Sequence, residues 1–284
     1  MKIGLNLGCG HARVQDSTFN DIDGSAVVAH TNSTNVATTR FNSRFESYNT
    51  TYVNIRPDDS YYSDFAYVMP AVNLNAVILI ETDNSGTTAT GSRIDITHNT
   101  FANNTLGSYP NIRFNSAASL AVFALRNNAF EGTAINGSYS ATANTVSNNL
   151  TTATARSGIA HVEDLVLGAL ADNGGAAEIG VNGAGGNVLT MLPLAASPLI
   201  DGAPYAGQNS DERGVTRSLM GAYDVGAVEI TEAEYEALGG VWPLPTAPDS
   251  GVGVASSDVA GRVLPIAAVF IMVAIVLVRR TRQS

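Results

Sequence analysis

The stretch "IDITHNTFANN" (94–104) alternates apolar or β-branched residues with polar ones, then surrounds one Phe with Asn. The alternation has the period of a strand with one buried face, and the Asn-rich remainder reads as a corner. Similar pieces recur as "VQDSTFND" (14–21), "TRFNSRFES" (39–47) and "FALRNNAFEG" (123–132), and more weakly as "ATANTVSNN" (141–149). Their phenylalanines, Phe19, Phe45, Phe101 and Phe130, are separated by 26, 56 and 29 residues, and the middle gap is two periods of 28. A period of this size with one strand per unit points to a solenoid of parallel strands about 4.8 Å apart, with Phe on Phe inside and Asn ladders at the turns. The competing reading is a β-sandwich, whose hairpins come at shorter spacing and would show more Asn-Gly pairs.

Working outward, "YNTTYVNIRPDDSYYSDFAYVMPAVN" (48–73) breaks the pattern. Insertions leave a solenoid on one face, often the binding face. Tyr48, Tyr52, Asp58, Asp59, Tyr61, Tyr62 and Asp64 are therefore the candidate glycan-binding residues.

Composition narrows the function. The 284 residues carry a net charge of −10, and because 249–284 contribute +2, the remainder carries −12. Such an acidic surface repels phosphate, which excludes nucleic acid as a partner. Charged residues make up only 14% and Asn, Thr, Ser, Ala and Gly abound, which suits short strands and tight turns. Cys9 is the single cysteine, so no intrachain disulfide or thiolate metal cluster is expected, and "CGH" (9–11) is assigned no role.

The C-terminal end carries an apolar run, Val263–Val278, of 16 residues. As a helix it measures about 24 Å at ~1.5 Å per residue, slightly short of a ~30 Å hydrocarbon core. It has no polar stripe, and Arg279, Arg280 and Arg282 follow it, so it reads as a transmembrane helix with a cytoplasmic tail and the rest of the chain outside. "MKIGLNLGCGHARVQD" offers no uninterrupted apolar stretch for export, which suggests the C-terminal part of a longer exported protein. Before the span, "TEAEYEALGG" (231–240) reads as a short helix with a capping box from Thr231 to Glu234, and the Pro/Gly/Ser-rich 241–262 as a flexible linker.

These residues also carry family resemblances. The N-terminal half resembles right-handed parallel β-helix repeats of the pectate-lyase-like type. "LGALADNGG" (167–175), "LTMLPLAASPLIDGA" (189–203), "DERGVTR" (211–217) and "DVGAVE" (224–229) resemble the terminal region of bacterial surface proteins of the choice-of-anchor Q type. "APDSG" (247–251) is similar to an LPxTG-type sorting signal, with Pro248, Ser250 and Gly251 at the positions of Pro, Thr and Gly, while Ala247 stands for Leu. The resemblance implies a secreted, envelope-attached protein. The organisation expected is all-β: a right-handed parallel β-helix over 1–165, terminal coils and cap over 166–230, a short helix over 231–240, the linker 241–262, and the transmembrane helix and Arg tail over 263–284. Asp211, Arg213, Asp224 and Glu229 are expected to form an ion-pair and turn network closing the solenoid end, in preference to a Ca²⁺ site from Asp201, Asp211 and Asp224.

No "GHG"-like stretch, HExxH, phosphate loop, nucleotide fingerprint or Ser-His-Asp order occurs, so no catalytic residue, metal or cofactor is assigned. The expected function is a non-catalytic cell-surface module, a display stalk or adhesin. Its expected partners are the envelope through the C-terminus and a glycan or a protein of a host or neighbouring cell. The alternative is a surface-attached carbohydrate-active enzyme, which needs two carboxylates converging across a groove at ~5–9.5 Å.

Overall fold

Two columns of bends organise the chain in the computed structural model. Asp16, Asn49, His98, Asn127 and Asn148 all take φ between 46° and 56°. Each follows a residue in register with its neighbours, from Gln15 through Tyr48, Thr97 and Arg126 to Ser147. A second column, Asp21, Asn54, Asn103 and Gly132, takes φ between 52° and 80°, five residues further on in each layer. The left-handed region is open to Gly and tolerated by the short polar Asn and Asp, which is why the corners are written in these residues.

The structure describes residues 3–7, 11–30, 43–58, 61–62, 72–73, 75–81, 92–114, 118–177, 187–204, 208–217 and 222–241. Met1–Leu244 form one unit; the second, Pro245–Ser284, lies outside the described residues, as do Pro248, Ser250, Gly251, Arg279, Arg280 and Arg282.

Among the described residues, five parallel strands form one sheet in the order Ile3–Leu7, Ser25–His30, Ile78–Glu81, Ile112–Phe114 and Ile135–Asn136. A nine-stranded parallel sheet begins with Tyr139–Ser147, Ala118–Arg126, Arg93–Thr97 and Arg44–Arg56. It continues through Thr100–Ala102, Ala129–Phe130, Asn149–Thr151 and Ile159–His161, and His11–Asp23 pairs with Arg44–Arg56. Ala171–Ala177 with Asn187–Thr190, and Tyr61–Tyr62 with Val72–Asn73, are antiparallel pairs.

Side chains stack as the register dictates. Phe19, Tyr52, Phe101 and Phe130 lie face to face with centroids 5.1, 4.7 and 4.8 Å apart, close to the ~4.8 Å between strands. Each such pair adds about 0.5–1.5 kcal/mol beyond its area burial. Beside them runs the expected amide ladder. Asn128 Oδ1 accepts from the Asn99 backbone N–H and Nδ2 at 2.9 and 3.0 Å, and Asn149 Oδ1 accepts from the same groups of Asn128 at 3.0 and 2.9 Å. These amides satisfy buried backbone groups at the bends, where the sheet ladder is interrupted. At the last layer, Tyr139 lies over Phe114 and Phe123 with centroids 4.8 and 4.5 Å away, and Arg156 Nη1 donates to Ile135 O at 2.9 Å.

Three expectations are corrected. First, the right-handed solenoid of constant period gives way to stacked parallel sheets with uneven layers. The first-column bends lie 33, 49, 29 and 21 residues apart, instead of 28. His11–Asp23 and Arg44–Arg56 are unbroken 13-residue strands, whereas later layers are divided at the bend. Second, Tyr52 holds the place in the aromatic stack read for Phe45, which aligns instead with Ala12 and Ile94. Third, no described helix is long and apolar enough to cross a membrane, and the expected transmembrane segment lies outside the described residues. The helix described at the C-terminal side is Glu232–Ala237, with the Thr231–Glu234 capping box formed.

Candidate functional site

The tyrosine- and aspartate-rich segment does not present one face. Tyr52 is fully buried in the aromatic stack, and its hydroxyl lies 2.9 Å from Ser47 Oγ. Tyr48 is buried with its hydroxyl donating to Glu46 Oε1 at 3.1 Å, and burial, then the Asp95 and Glu46 charges, raise its pKa. Asp58 is exposed, Tyr61 and Tyr62 form a short strand, and Asp59 and Asp64 lie outside the described residues.

Three other places concentrate polar chemistry. The first is the outer face of the nine-stranded sheet, opposite the aromatic core. Register puts His11, Arg44 and Arg93 in one column and Arg13, Glu46 and Asp95 in the next. Glu46 is fully buried, yet it receives Arg13 Nε at 3.1 Å, Arg44 Nε at 2.8 Å and His11 Nε2 at 3.2 Å. Burial alone would raise its pKa; hydrogen bonds from Arg44, His11 and Arg13 outweigh that and bring it down to about 2. In the next layer Asp95 is held by Arg126 Nη2 at 3.2 and 3.3 Å and by Thr97 Oγ1 at 2.8 Å, with Arg93 Nη2 at 3.4 Å. Arg13 also lies over the Tyr48 ring, 5.1 Å from its centroid.

The second place is a cleft of about 420 Å³ whose lining includes Asn103, Glu131, Glu163, Asp164, Leu165 and Met191. Glu131 Oε2 accepts the Asn103 N–H at 2.5 Å, Asp164 Oδ1 accepts the Val166 N–H at 2.9 Å, and Glu163 lies 3.5 Å from His161 Nε2.

The third is the buried network built by residues 201–234. Of the four residues expected to pair, Asp211 and Arg213 do, with Arg213 Nε 3.0 Å from Asp211 Oδ2; Arg213 takes Glu234 as its second partner, and Glu229 pairs with Arg217 instead. Asp224 Oδ1 and Oδ2 accept the Asp201 and Ile230 N–H groups at 2.8 and 2.7 Å. Sequence reasoning passed over Arg217, which is buried and gives its fork to Asn49 Oδ1, to the Gly226 and Ala227 carbonyls and to Glu229 Oε2. Glu212 accepts Thr18 and Thr51 hydroxyls at 3.0 and 2.5 Å, Gly226 N donates to Asn127 O at 2.8 Å, and Ala227 N to Thr100 Oγ1 at 3.0 Å. The segment is thus a strap laid along the first column of bends across four layers, where the sequence led us to expect a plug at the end of the stack. Gly226, at φ 104°, is required by this approach, since a Cβ there would sit 2.7 Å from Thr100 Oγ1.

The outer-face arginines went unremarked in the sequence, although the signal was present. "RFE" (44–46) and "RID" (93–95) repeat Arg-x-acid, and strand alternation sends both members to one face.

No family model matches the chain, and neither a curated protein nor a solved structure matches it.

Proposed function

We propose that the chain is a non-catalytic surface module, a rigid display or adhesive scaffold that contacts glycan or protein and is attached to the envelope through its C-terminal segment. The observation that carries this reading is the use of its buried carboxylates. Glu46, Asp95, Asp211, Glu212, Asp224 and Glu229 are buried and accept hydrogen bonds from arginine, hydroxyl or backbone donors within the protein. A general acid or nucleophile needs a carboxylate directed at substrate, whereas Glu46, Asp95 and Glu212 tie layers together and Asp211, Asp224 and Glu229 hold the 201–234 segment to itself. The stacked rings and amide ladder add the stiffness a display scaffold needs.

One observation favours the second reading, a carbohydrate-active enzyme: Glu131, Glu163 and Asp164 line a single cleft. Both readings are tested by incubating the full chain with a panel of polysaccharides while following binding and newly formed reducing or unsaturated ends. Retention of a glycan or protein ligand without product supports the scaffold. Product formation abolished by Glu131→Gln or Asp164→Asn rejects it in favour of the enzyme.

A further inference from the structure

We infer that the outer face of the nine-stranded sheet is a docking surface for an anionic polysaccharide, gripped by Arg13, Arg44, Arg93 and Arg126. The inference rests on the scaffold reading and names its ligand class. Its first support is charge. These four guanidinium groups surround two carboxylates, Glu46 and Asp95, leaving a local charge of +2 on a chain whose net charge is −10. A patch of inverted sign attracts an anionic partner that the remaining surface repels.

Accessibility points the same way. The Glu46 and Asp95 side chains are 0% and 2% exposed, while those of Arg13, Arg44, Arg93 and Arg126 are 52%, 40%, 40% and 31% exposed. A ligand on this face meets arginine, and the buried acids hold the guanidinium groups in place beforehand, which lowers the entropy cost of binding. Among the described residues Arg93 makes one ion pair, at 3.4 Å through Nη2, and its Nε is buried, so the donors left for a ligand are those of Nη1 and the rest of Nη2.

Geometry selects an extended polymer. Arg44 and Arg93 are direct register partners, and Arg13 and Arg126 lie in the layers outside them. One cation thus stands in each of four successive layers, Arg44 and Arg93 at the strand spacing of ~4.8 Å and Arg13 and Arg126 offset along their strands. A polymer with an acidic group on successive units can bridge them, using the planar fork that suits carboxylate and sulfate oxygens. A polysaccharide fits better than an acidic peptide. The sheet's backbone groups are paired strand to strand, so a peptide lying on the face leaves its own amides without partners. Sugar hydroxyls both donate and accept, which suits a face mixing guanidinium and carboxylate groups.

The test measures binding of the full chain to polygalacturonate, a sulfated glycan, a neutral glucan and poly-L-glutamate, each at low and high salt. The wild type should bind an anionic glycan and lose it with salt, and ignore the glucan. Arg13→Gln should weaken binding about tenfold, and Arg13→Gln with Arg93→Gln about a hundredfold, at roughly one charge-assisted hydrogen bond per group. Arg13 is half exposed, so the single variant decides the matter if the double variant fails to fold. Unchanged affinity in Arg13→Gln, equal binding of the glucan, or equal binding of poly-L-glutamate overturns the inference. A protein or neutral glycan held equally by wild type and variant leaves the scaffold reading standing, whereas release of cleaved sugar removes that reading too.

Discussion

The strap and the outer face are both built from arginine and carboxylate, but they bury different partners. On the face the acids are buried and the arginines reach solvent; in the strap Arg213 and Arg217 are themselves 1% and 0% exposed. A buried guanidinium must satisfy its donors within the protein, so Arg217 divides its fork among Asn49, two carbonyls and Glu229. A half-exposed guanidinium gives part of its fork to one acid and keeps the rest for water or a ligand. The same ion pair is therefore a seam in one region and a display in the other, and the distinction yields predictions of graded size.

The largest effect is expected at the seam. Arg217→Met removes the cation and leaves Glu229 and Asp224 buried against each other, so unfolding free energy should fall by about 3–5 kcal/mol, read from denaturant melts. A change below about 1 kcal/mol would mean that the strap behaves like a surface pair, and the contrast between the regions would collapse.

Comparable in size is removal of a rung of the amide ladder. Asn128→Ala leaves the Asn99 N–H and the Ile96 carbonyl without their side-chain partner and breaks the link to Asn149. Unsatisfied buried groups cost about 1–3 kcal/mol each, so the two left here predict a loss of about 2–6 kcal/mol in the same melts. Asn128→Asp keeps the acceptor but sets a buried carboxylate oxygen against the Ile96 carbonyl and Asn149 Oδ1, so it should recover none of that loss near neutral pH.

The seam also predicts an unusual pH profile. Burial, then the neighbouring Glu229, raise the Asp224 pKa from 3.8 to about 8, and burial raises that of Glu212 well above its usual value. A carboxyl raised on folding holds its proton more tightly in the native state. It therefore stabilises fully below the unfolded pKa and loses that contribution as pH rises through the folded one. His98 acts in the opposite sense at lower pH: burial, then Arg217, push its pKa well below 6.5, so its unfolded form gains the proton first as pH drops below 6.5. The charged groups acting on it are Arg217 and Arg126, and it also meets Asn127 and Tyr223. Above pH 6.5 the histidine no longer contributes, and stability should decline toward pH 8 by up to about 1.4 kcal/mol per unit from Asp224, with Glu212 acting in the same direction. Asp224→Asn should flatten that limb. On the face the sign reverses: Glu46, with its pKa lowered to about 2, stabilises above its unfolded value of 4.5 and loses that contribution as pH falls toward 2.

What the sequence disclosed follows from what each position encodes locally. Strand alternation and Asn-rich corners were legible in "IDITHNTFANN", because period and left-handed tolerance are properties of a few adjacent residues. Layer length was not, because no local pattern sets the number of residues from one layer's bends to the next: 48–56, read as part of an insertion, is strand, and the assumed even spacing put Phe45 in the stack where Tyr52 belongs. The ion-pairing residues of "DERG" and "DVGAVE" were recognised by type, but their place along the bend column depends on contacts with Thr18, Thr51 and Thr100, far away in sequence. The buried tyrosines misled for a related reason: a stacked ring and a sugar platform look alike until burial is known.

The smallest effect should come from the display arginine that the comparison treats as free. Arg13 donates to Glu46 Oε2 at 3.1 Å and covers the Tyr48 ring, but its side chain is 52% exposed, and Arg44 and His11 also serve the same carboxylate. Glu46 keeps donors after Arg13→Gln, so no buried charge is stranded, and solvent screening limits what the lost pair contributed. Unfolding free energy should shift by no more than about 0.2–1 kcal/mol, while the high-salt melt of the variant should match that of the wild type. A loss comparable to that of Arg217→Met would place Arg13 in the seam, and with it the separation of display from structure on which the anionic docking face depends.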